Sequence, residues 1–196
     1  MPHIPVEEHL PGITGLLEYR KDTAAPIRAL TQFLLRGSSS LSAGERELIA
    51  SLVSSRNQCV FCTQAHTTAA DILLGEAESC RQVIENYPQA PVREKLKALL
   101  HIAALVQVSG KKVDSAAIAQ ARQAGASDQE IHDTVLLAGL FCLYNKYVDG
   151  LATGLPSHPE YFKQLGERIT TIGYVRLPGG YDHLKKKSGS ESSKDL

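Results

Sequence analysis

The chain has 196 residues, 43% of them hydrophobic, and 21 Lys plus Arg balance 21 Asp plus Glu. This size and composition fit one domain with a packed core, and the zero net charge gives no basic excess for nucleic acid or an anionic membrane. No apolar run approaches the ~20 residues that cross a bilayer, and residues 1–12 lack the apolar core of a secretory signal. We therefore predict a cytoplasmic protein with no nucleic-acid or membrane partner.

The first part of the chain has two predicted regions. Residues 1–22 are punctuated by Pro and Gly and are expected to lie extended over the surface. A helix is then predicted with Pro26 in its first turn, ending near Arg36. Its expected apolar face consists of Ile27, Leu30, Phe33 and Leu34.

Helical spacing continues along the rest of the chain, and strand signals are weak. The predicted class is all-α, with a helical domain at 23–175 and a charged, Ser-rich tail at 176–196 that is expected to be largely disordered. Further helices are expected from Ser42 to about Val53, from Asn57 to about Leu74, near 77–86 and 92–108, from Asp114 to about Ala124, from Ser127 onward, and from Pro159.

The segment 45–70 contains the residues that are candidates for catalysis or metal binding. Cys59 and Cys62 form a C-x-x-C pair, His66 follows four residues later, and Glu47 precedes the first cysteine by twelve residues. Asn57 is a suitable N-cap, which would make Cys59 the second residue of the helix. The cysteines and His66 then share one helical face.

A helix N-terminus stabilises thiolates, and C-x-x-C pairs there have lowered pKa values. In a reducing compartment this spacing indicates redox chemistry or metal binding more often than a structural bridge. We expect Cys59, nearer the helix end, to be the more exposed thiol. Cys80 and Cys142 lack a partner at useful spacing and are predicted to be structural.

A faint internal repeat is visible at a shift of 85 residues. Ser42-x-x-Glu45 and Ser127-x-x-Glu130 both have capping-box spacing. The shift aligns the two cysteines with Tyr144 and Tyr147, which would line the pocket if the helical unit is duplicated. Core packing is the competing explanation for both tyrosines.

The pattern from Glu47 through the cysteine pair to His66 resembles the alkylhydroperoxidase D-like, carboxymuconolactone decarboxylase superfamily. The segment 144–151, YNKYVDGL, resembles a stretch of its peroxidase-related branch, with Lys146 where Arg is usual. The resemblance covers roughly residues 10–175. It implies an all-helical protomer with a duplicated helical unit, a homo-oligomer (trimer or hexamer), and peroxide reduction through the cysteine pair. Phe61 departs from the best-known peroxidase of the family, which has His there.

The resemblance implies a catalytic set of Cys59, Cys62, His66 and Glu47, with no cofactor and no metal. His66, oriented by Glu47, would deprotonate Cys62, which would attack a hydroperoxide. Cys59 would then close a disulfide that an external dithiol reduces. Taken alone, the stabilisation of a thiolate by the helix N-terminus favours Cys59, the cysteine nearer that end, as the more acidic thiol.

Two alternatives to this peroxidase or thiol–disulfide oxidoreductase remain. One is a zinc site, for which Cys59, Cys62 and His66 supply three ligand types but no second pair completes the set. The other is a non-redox role, either a carboxymuconolactone decarboxylase-like enzyme or an oligomeric binding module. Decarboxylase chemistry does not need two neighbouring thiols. His101 and His132 are further histidines whose role the sequence does not decide.

Overall fold

The computed structural model describes residues 1–158 and 160–181. This part contains nine α-helices and two short 3₁₀ turns, at 87–89 and 110–112, and no β-strand, which confirms the predicted all-α class. The helices are α1 (Ile13–Tyr19), α2 (Lys21–Arg36), α3 (Ala43–Arg56), α4 (Val60–Leu74), α5 (Glu78–Asn86), α6 (Glu94–Val108), α7 (Ser115–Gln123), α8 (Asp128–Gly150) and α9 (Tyr161–Thr171).

Helix α3 forms the centre of the protein and packs against α4, α6 and α8. Every residue from Arg46 to Ser54 is buried, because neighbouring helices surround the helix. Helix α9 packs closely on α4: a Cβ added at Gly166 would lie 2.7 Å from Thr68 Cγ2. The fold thereby fixes α4, which carries the cysteine pair, between the core and α9.

The predicted helix ends are largely confirmed. Ser42 with Glu45, and Ser127 with Glu130, both form the reciprocal hydrogen bonds of a capping box. Asp114 accepts a hydrogen bond from the backbone of Ala117 at the start of α7. These local side-chain bonds satisfy backbone groups that a helix end leaves unpaired.

The N-terminal prediction is wrong in two respects. Residues 1–22 contain α1, and α2 begins at Lys21, so that Pro26 lies beyond its first turn. Half of the predicted apolar face is also incorrect, since Leu30 is 38% exposed and Phe33 is 70% exposed. The other two residues, Ile27 and Leu34, do pack in or against the core. The residues of α2 that are buried are Ala24, Arg28, Thr31, Leu34 and Leu35. Two of these are polar, and they face a cavity described below.

The two segments of the proposed repeat differ in the structure. The first is broken between α3 and α4 at Gln58, whereas α8 runs without interruption through the matching position, Leu143. Near the other end of the chain, Arg176 and Tyr181 contact the helices, so that the packed structure extends beyond position 175. The remainder of the predicted tail, 182–196, lies outside the described residues, as does Pro159, where the last helix was expected to begin.

Within the described ranges, no helix combines the length and the apolar character needed to cross a bilayer.

Candidate functional site

The cysteine pair begins α4, but two positions earlier in the helix than predicted. Asn57 ends α3 rather than capping α4, and Gln58 then takes a left-handed conformation with φ of 60°. Cys59 is the N-cap and Cys62 is the third helical residue. Both sulfurs therefore remain in the first turn, where the helix dipole favours negative charge.

Both cysteines are buried, contrary to the expectation that Cys59 is the more exposed. Cys59 is 0% exposed and Cys62 is 3% exposed, because Leu16, Phe61 and Val148 pack around them. Both are free thiols. Burial in an apolar cluster isolates the pair from bulk water.

The two thiols interact directly, and the interaction makes them unequal. The Cys62 thiol donates a hydrogen bond to Cys59, which lowers the pKa of Cys59. The same bond, together with burial, raises the pKa of Cys62. The first negative charge of the pair therefore resides on Cys59, while Cys62 keeps its proton and donates it to that sulfur.

Two polar side chains of α8 reach the pair. Asn145 contacts Cys62 and lowers its pKa, whereas Asp149 contacts Cys59 and raises its pKa. Asn145 is itself held by Asn57, which donates to its Oδ1 at 2.8 Å, and it donates to Ser54 Oγ at 3.1 Å. Asp149 is itself exposed, so the buried Cys59 contacts a residue that also meets solvent.

His66 lies one turn beyond Cys62 and is held by a buried carboxylate. Its Nδ1 donates to Glu47 Oε2 at 2.7 Å. Glu47 Oε1 accepts from Arg36 Nη2 and from the Tyr174 hydroxyl, both at 2.6 Å. The ring of Phe141 packs edge-on against His66 with the ring centroids 4.5 Å apart. Since Nδ1 carries the hydrogen, Nε2 is left with a lone pair that can accept a proton.

The partners of Glu47 keep it ionised. Glu47 is fully buried, and burial alone would raise its pKa, but His66, Arg36 and Tyr174 together lower it. The pKa of Tyr174 is raised by its own burial and by the neighbouring Glu47 charge. Tyr174 is therefore a stable hydrogen-bond donor to the carboxylate.

Cys62 and His66 line one small cavity of about 70 Å³. At the roughly 30 Å³ that each molecule takes up in liquid water, this volume corresponds to about two water molecules. The walls come from α1, α2, α4, α8 and α9, and most of the lining is apolar. Tyr144, which the repeat had suggested as a lining residue, lies in this wall. Cys59 is not among the residues that line this cavity, and it contacts Cys62 and Asp149.

The structure brings the four predicted site residues together in two contacts, Cys59 with Cys62 and Glu47 with His66. The other histidines are elsewhere: His101 contacts Tyr87 at 3.0 Å and His132 contacts Asp133 at 2.9 Å. The sequence did not assign roles to Arg36, Tyr174, Asn145 and Asp149. The last two stand four residues apart within the segment 144–151, a spacing that places them on one helical face.

Among the residues with a described position, no three His, Cys, Asp or Glu side chains are grouped so as to hold one metal ion. The zinc alternative therefore has no geometric support in this part of the chain.

Comparison with known proteins yields similarities in sequence and in structure. Residues 22–76 match the model of the carboxymuconolactone decarboxylase family. No curated protein matches the chain in sequence.

Two crystal structures of uncharacterised peroxidase-related proteins are similar. One, from Silicibacter sp. TM1040, is 28% identical with a TM-score of 0.71 and covers 79% of this chain and 80% of its own. The other, the alkylhydroperoxidase AhpD core of a protein from Ralstonia eutropha JMP134, is 27% identical with a TM-score of 0.70. The match covers 78% of this chain and 79% of that chain.

A third structure, of a protein of unknown function from Agrobacterium tumefaciens, shares the fold at 22% identity. Its TM-score is 0.62, and the match covers 73% of this chain and 97% of that chain. The matched family region contains Glu47, both cysteines of the pair and His66. These residues, the family match over 22–76 and the similarities of fold support assignment of the chain to the superfamily of carboxymuconolactone decarboxylases and alkylhydroperoxidase D-like proteins.

Proposed function

We propose that the protein is a thiol-dependent hydroperoxidase that reduces organic hydroperoxides through Cys59 and Cys62. The observation that carries this proposal is the placement of Cys62 and His66 on one cavity, with Cys59 in contact with Cys62 and Glu47 in contact with His66. This arrangement supplies a nucleophile, a base and a second thiol within one site.

In the first step the cysteine pair loses one proton to His66, directly or through water in the cavity. The imidazolium so formed is stabilised by the ionised Glu47, which accepts its Nδ1 hydrogen at 2.7 Å. The charge first resides on Cys59, whose pKa is the lower of the two. Transfer of the remaining proton from Cys62 to Cys59 along their hydrogen bond then places the charge on Cys62. Cys62 is the sulfur that meets the cavity, which is why we assign it the attack.

In the second step the Cys62 thiolate attacks the terminal oxygen of the hydroperoxide. A sulfur–oxygen bond forms, the oxygen–oxygen bond breaks, and the alkoxide leaving group takes the proton from His66 as the alcohol departs. Cys62 becomes a sulfenic acid. Cys59 then attacks that sulfur, a disulfide forms, and water leaves. Two thiols and one hydroperoxide thus yield one disulfide, one alcohol and one water.

An external dithiol would return the enzyme to its reduced form by attack on the disulfide. We assign Cys59 as the attacked sulfur, because exposed Asp149 lies beside it, whereas Cys62 faces the cavity that the hydroperoxide occupies. Since Cys59 is fully buried in the reduced protein, this step requires local movement of the residues around it.

We further propose that the protein forms a homo-oligomer, a trimer or hexamer as in the family resemblance. Helix α8 exposes three apolar side chains, Val135, Leu136 and Leu143, between 36% and 48%. Gly139 lies on the same face with open space above it. Sedimentation equilibrium of the full chain should give the mass of a trimer or hexamer, and Leu143→Lys should lower it. A monomer at micromolar concentration would contradict this proposal.

The test of the peroxidase proposal is consumption of cumene hydroperoxide by the reduced protein with dithiothreitol as reductant. Turnover should be lost in Cys62→Ser and in Cys59→Ser. Cys80→Ala is the matched control, because Cys80 is equally buried but lies outside the cavity. Equal turnover in all four proteins, or none in the wild type, would overturn the proposal.

A further inference from the structure

The cavity that holds Cys62 and His66 has a cationic part that the peroxidase mechanism does not use. Arg28 of α2 and Arg168 of α9 both line it. The surface around them is apolar, with side chains from α1, α2 and α9, including Ile13, Leu17, Ile27 and Leu165. Pockets of this kind, apolar with a few placed polar groups, bind organic molecules by an apolar body and one polar end.

Arg28 is buried without full hydrogen bonding. It is 7% exposed, its Nη2 donates to Glu18 at 3.0 Å, and its Nη1 donates to the Tyr181 hydroxyl at 3.2 Å. Its Nε is buried and has no partner among the residues at 1–158 and 160–181. Glu18 also accepts from Arg176 at 2.7 Å, so its carboxylate is divided between two guanidinium groups.

Arg168, on α9, also has an incomplete set of hydrogen bonds. Its Nη2 donates to the carbonyl oxygen of Val175 at 3.1 Å. Its Nε is buried and, in the part of the chain that the structure describes, also lacks a partner. A buried donor without an acceptor is costly, and two of them at one cavity indicate a place for an acceptor.

Tyr181 occupies the space between the two guanidinium groups. The guanidinium carbons of Arg28 and Arg168 lie 5.7 and 5.1 Å from the centre of its ring. Gly179 and Gly180 precede it with φ values of 79° and 57°. Glycine adopts such conformations freely, and entry of a ligand would require this turn to move the Tyr181 ring aside.

We propose that the cavity binds short-chain hydroperoxides that carry a carboxylate, with Arg28 and Arg168 as the binding groups for the carboxylate. A carboxylate accepts two parallel hydrogen bonds from a guanidinium, which a neutral alkyl group does not. The apolar wall holds the chain, and the hydroperoxide end then meets Cys62. The binding part of this inference stands without the redox chemistry; only the identity of the reacting end rests on the proposed function.

Binding is tested by calorimetry on the reduced full-length protein. The two unreactive probes are hexanoate, which carries a carboxylate, and hexanol, which has a hydroxyl group in its place. Hexanoate should bind about ten-fold or more tightly than hexanol. Arg168→Gln should remove that preference and leave hexanol binding within about two-fold of the wild type. Arg122→Gln is the matched control, since Arg122 forms an exposed pair with Asp128. If Arg168→Gln proves unstable, Arg28→Lys replaces it in the test. This variant keeps the positive charge but loses the paired N–H donors of the guanidinium group, so hexanoate binding should weaken.

Activity separates this inference from the proposed function. With 6-hydroperoxyhexanoate the KM of Arg168→Gln should rise about ten-fold or more, while its KM for hexyl hydroperoxide stays unchanged. If hexanoate binds as expected but no hydroperoxide is consumed, the proposed function fails and the binding site stands. If both hydroperoxides are consumed with equal KM, or hexanoate binds no more tightly than hexanol, the carboxylate site is overturned. If Arg168→Gln binds hexanoate and hexanol with equally reduced affinity, Arg168 has a structural role, and the carboxylate site is again overturned.

Discussion

His66 Nδ1 lies 2.7 Å from Glu47 Oε2, with both side chains buried and with Arg36 and Tyr174 on the other carboxylate oxygen. The histidine is thereby fixed in orientation and in tautomer, beside the cavity that Cys62 lines. A base held in this way costs no reorganisation when it accepts a proton.

Replacing Glu47 by Gln keeps the shape of the side chain but removes its charge. We expect kcat/KM for organic hydroperoxides to fall by about 10²-fold or more, because the imidazolium loses its counter-charge. Steady-state kinetics over a range of pH measures this effect. Glu78→Gln on the exposed surface of α5 is the control. An unchanged kcat/KM in folded Glu47→Gln would remove Glu47 from the mechanism.

Glu47 also predicts how stability depends on pH. Its pKa is lower in the folded protein than its ordinary value of 4.5. The stability that its ionised form contributes is therefore fully present above about pH 4.5 and is lost as the pH falls through the folded value. Urea unfolding at a series of acid pH values should show a smaller loss in Glu47→Gln than in the wild type. If the free energy of unfolding falls equally with pH in both proteins, ionised Glu47 does not contribute to stability.

Tyr174→Phe removes one hydrogen bond to Glu47 and keeps the ring that stacks near His66. A hydrogen bond to a charged group contributes about 1.5–3 kcal/mol, so the free energy of unfolding should fall by that amount. Denaturant unfolding measures it. Tyr19→Phe, at a side chain that is 55% exposed, should change stability by less than about 0.5 kcal/mol. A similar small change in Tyr174→Phe would show that its bond to Glu47 contributes nothing.

Gly12 supports the wall beside the cysteine pair. Its φ of 59° and ψ of −142° suit glycine alone, and an added Cβ would lie 2.4 Å from the ring of Phe61. Gly12→Ala should destabilise the protein by at least about 1–3 kcal/mol from backbone strain. Gly110→Ala, where a Cβ meets open space, is the matched control. Equal thermal stability of the two variants would contradict this account of the wall.

Asp149 is expected to control the ionisation of Cys59. Its carboxylate raises the pKa of that thiol, so Asp149→Asn should lower it and increase the thiolate fraction at neutral pH. The ultraviolet absorbance of thiolate, followed through a pH titration, measures the change. Asp133→Asn on the same helix, where Asp133 pairs with His132, is the control. A titration curve that shifts to higher pH in Asp149→Asn would contradict the contact.

Much of the fold could be predicted from the sequence because its signals are local. Three helix starts are determined by a capping side chain that bonds to the backbone three residues later, at Ser42, Asp114 and Ser127. Because both partners are close in sequence, the pattern can be recognised without the structure. Half of the face of α2 was predicted wrongly because its buried side includes Arg28 and Thr31, which a hydrophobic pattern assigns to solvent.

The site was predictable to a similar extent. The spacing from Cys59 to His66 identified the chemical groups, since residues three and four apart share a helical face. Tyr174 reaches Glu47 across 127 positions, and Asp149 reaches Cys59 from another helix. Such contacts are set by tertiary packing, and no local pattern encodes them. The burial of Cys59 escaped prediction for the same reason, because Leu16 and Val148, which enclose it, come from distant helices.

The central claim, that Cys59 and Cys62 act as one redox pair, is tested most directly by counting thiols. The denatured reduced protein should show four free thiols, corresponding to the four cysteines of the chain. After one equivalent of cumene hydroperoxide it should show two, with peptide mapping locating a single disulfide between Cys59 and Cys62. Retention of all four thiols, or loss of Cys80 or Cys142 instead, would contradict the account.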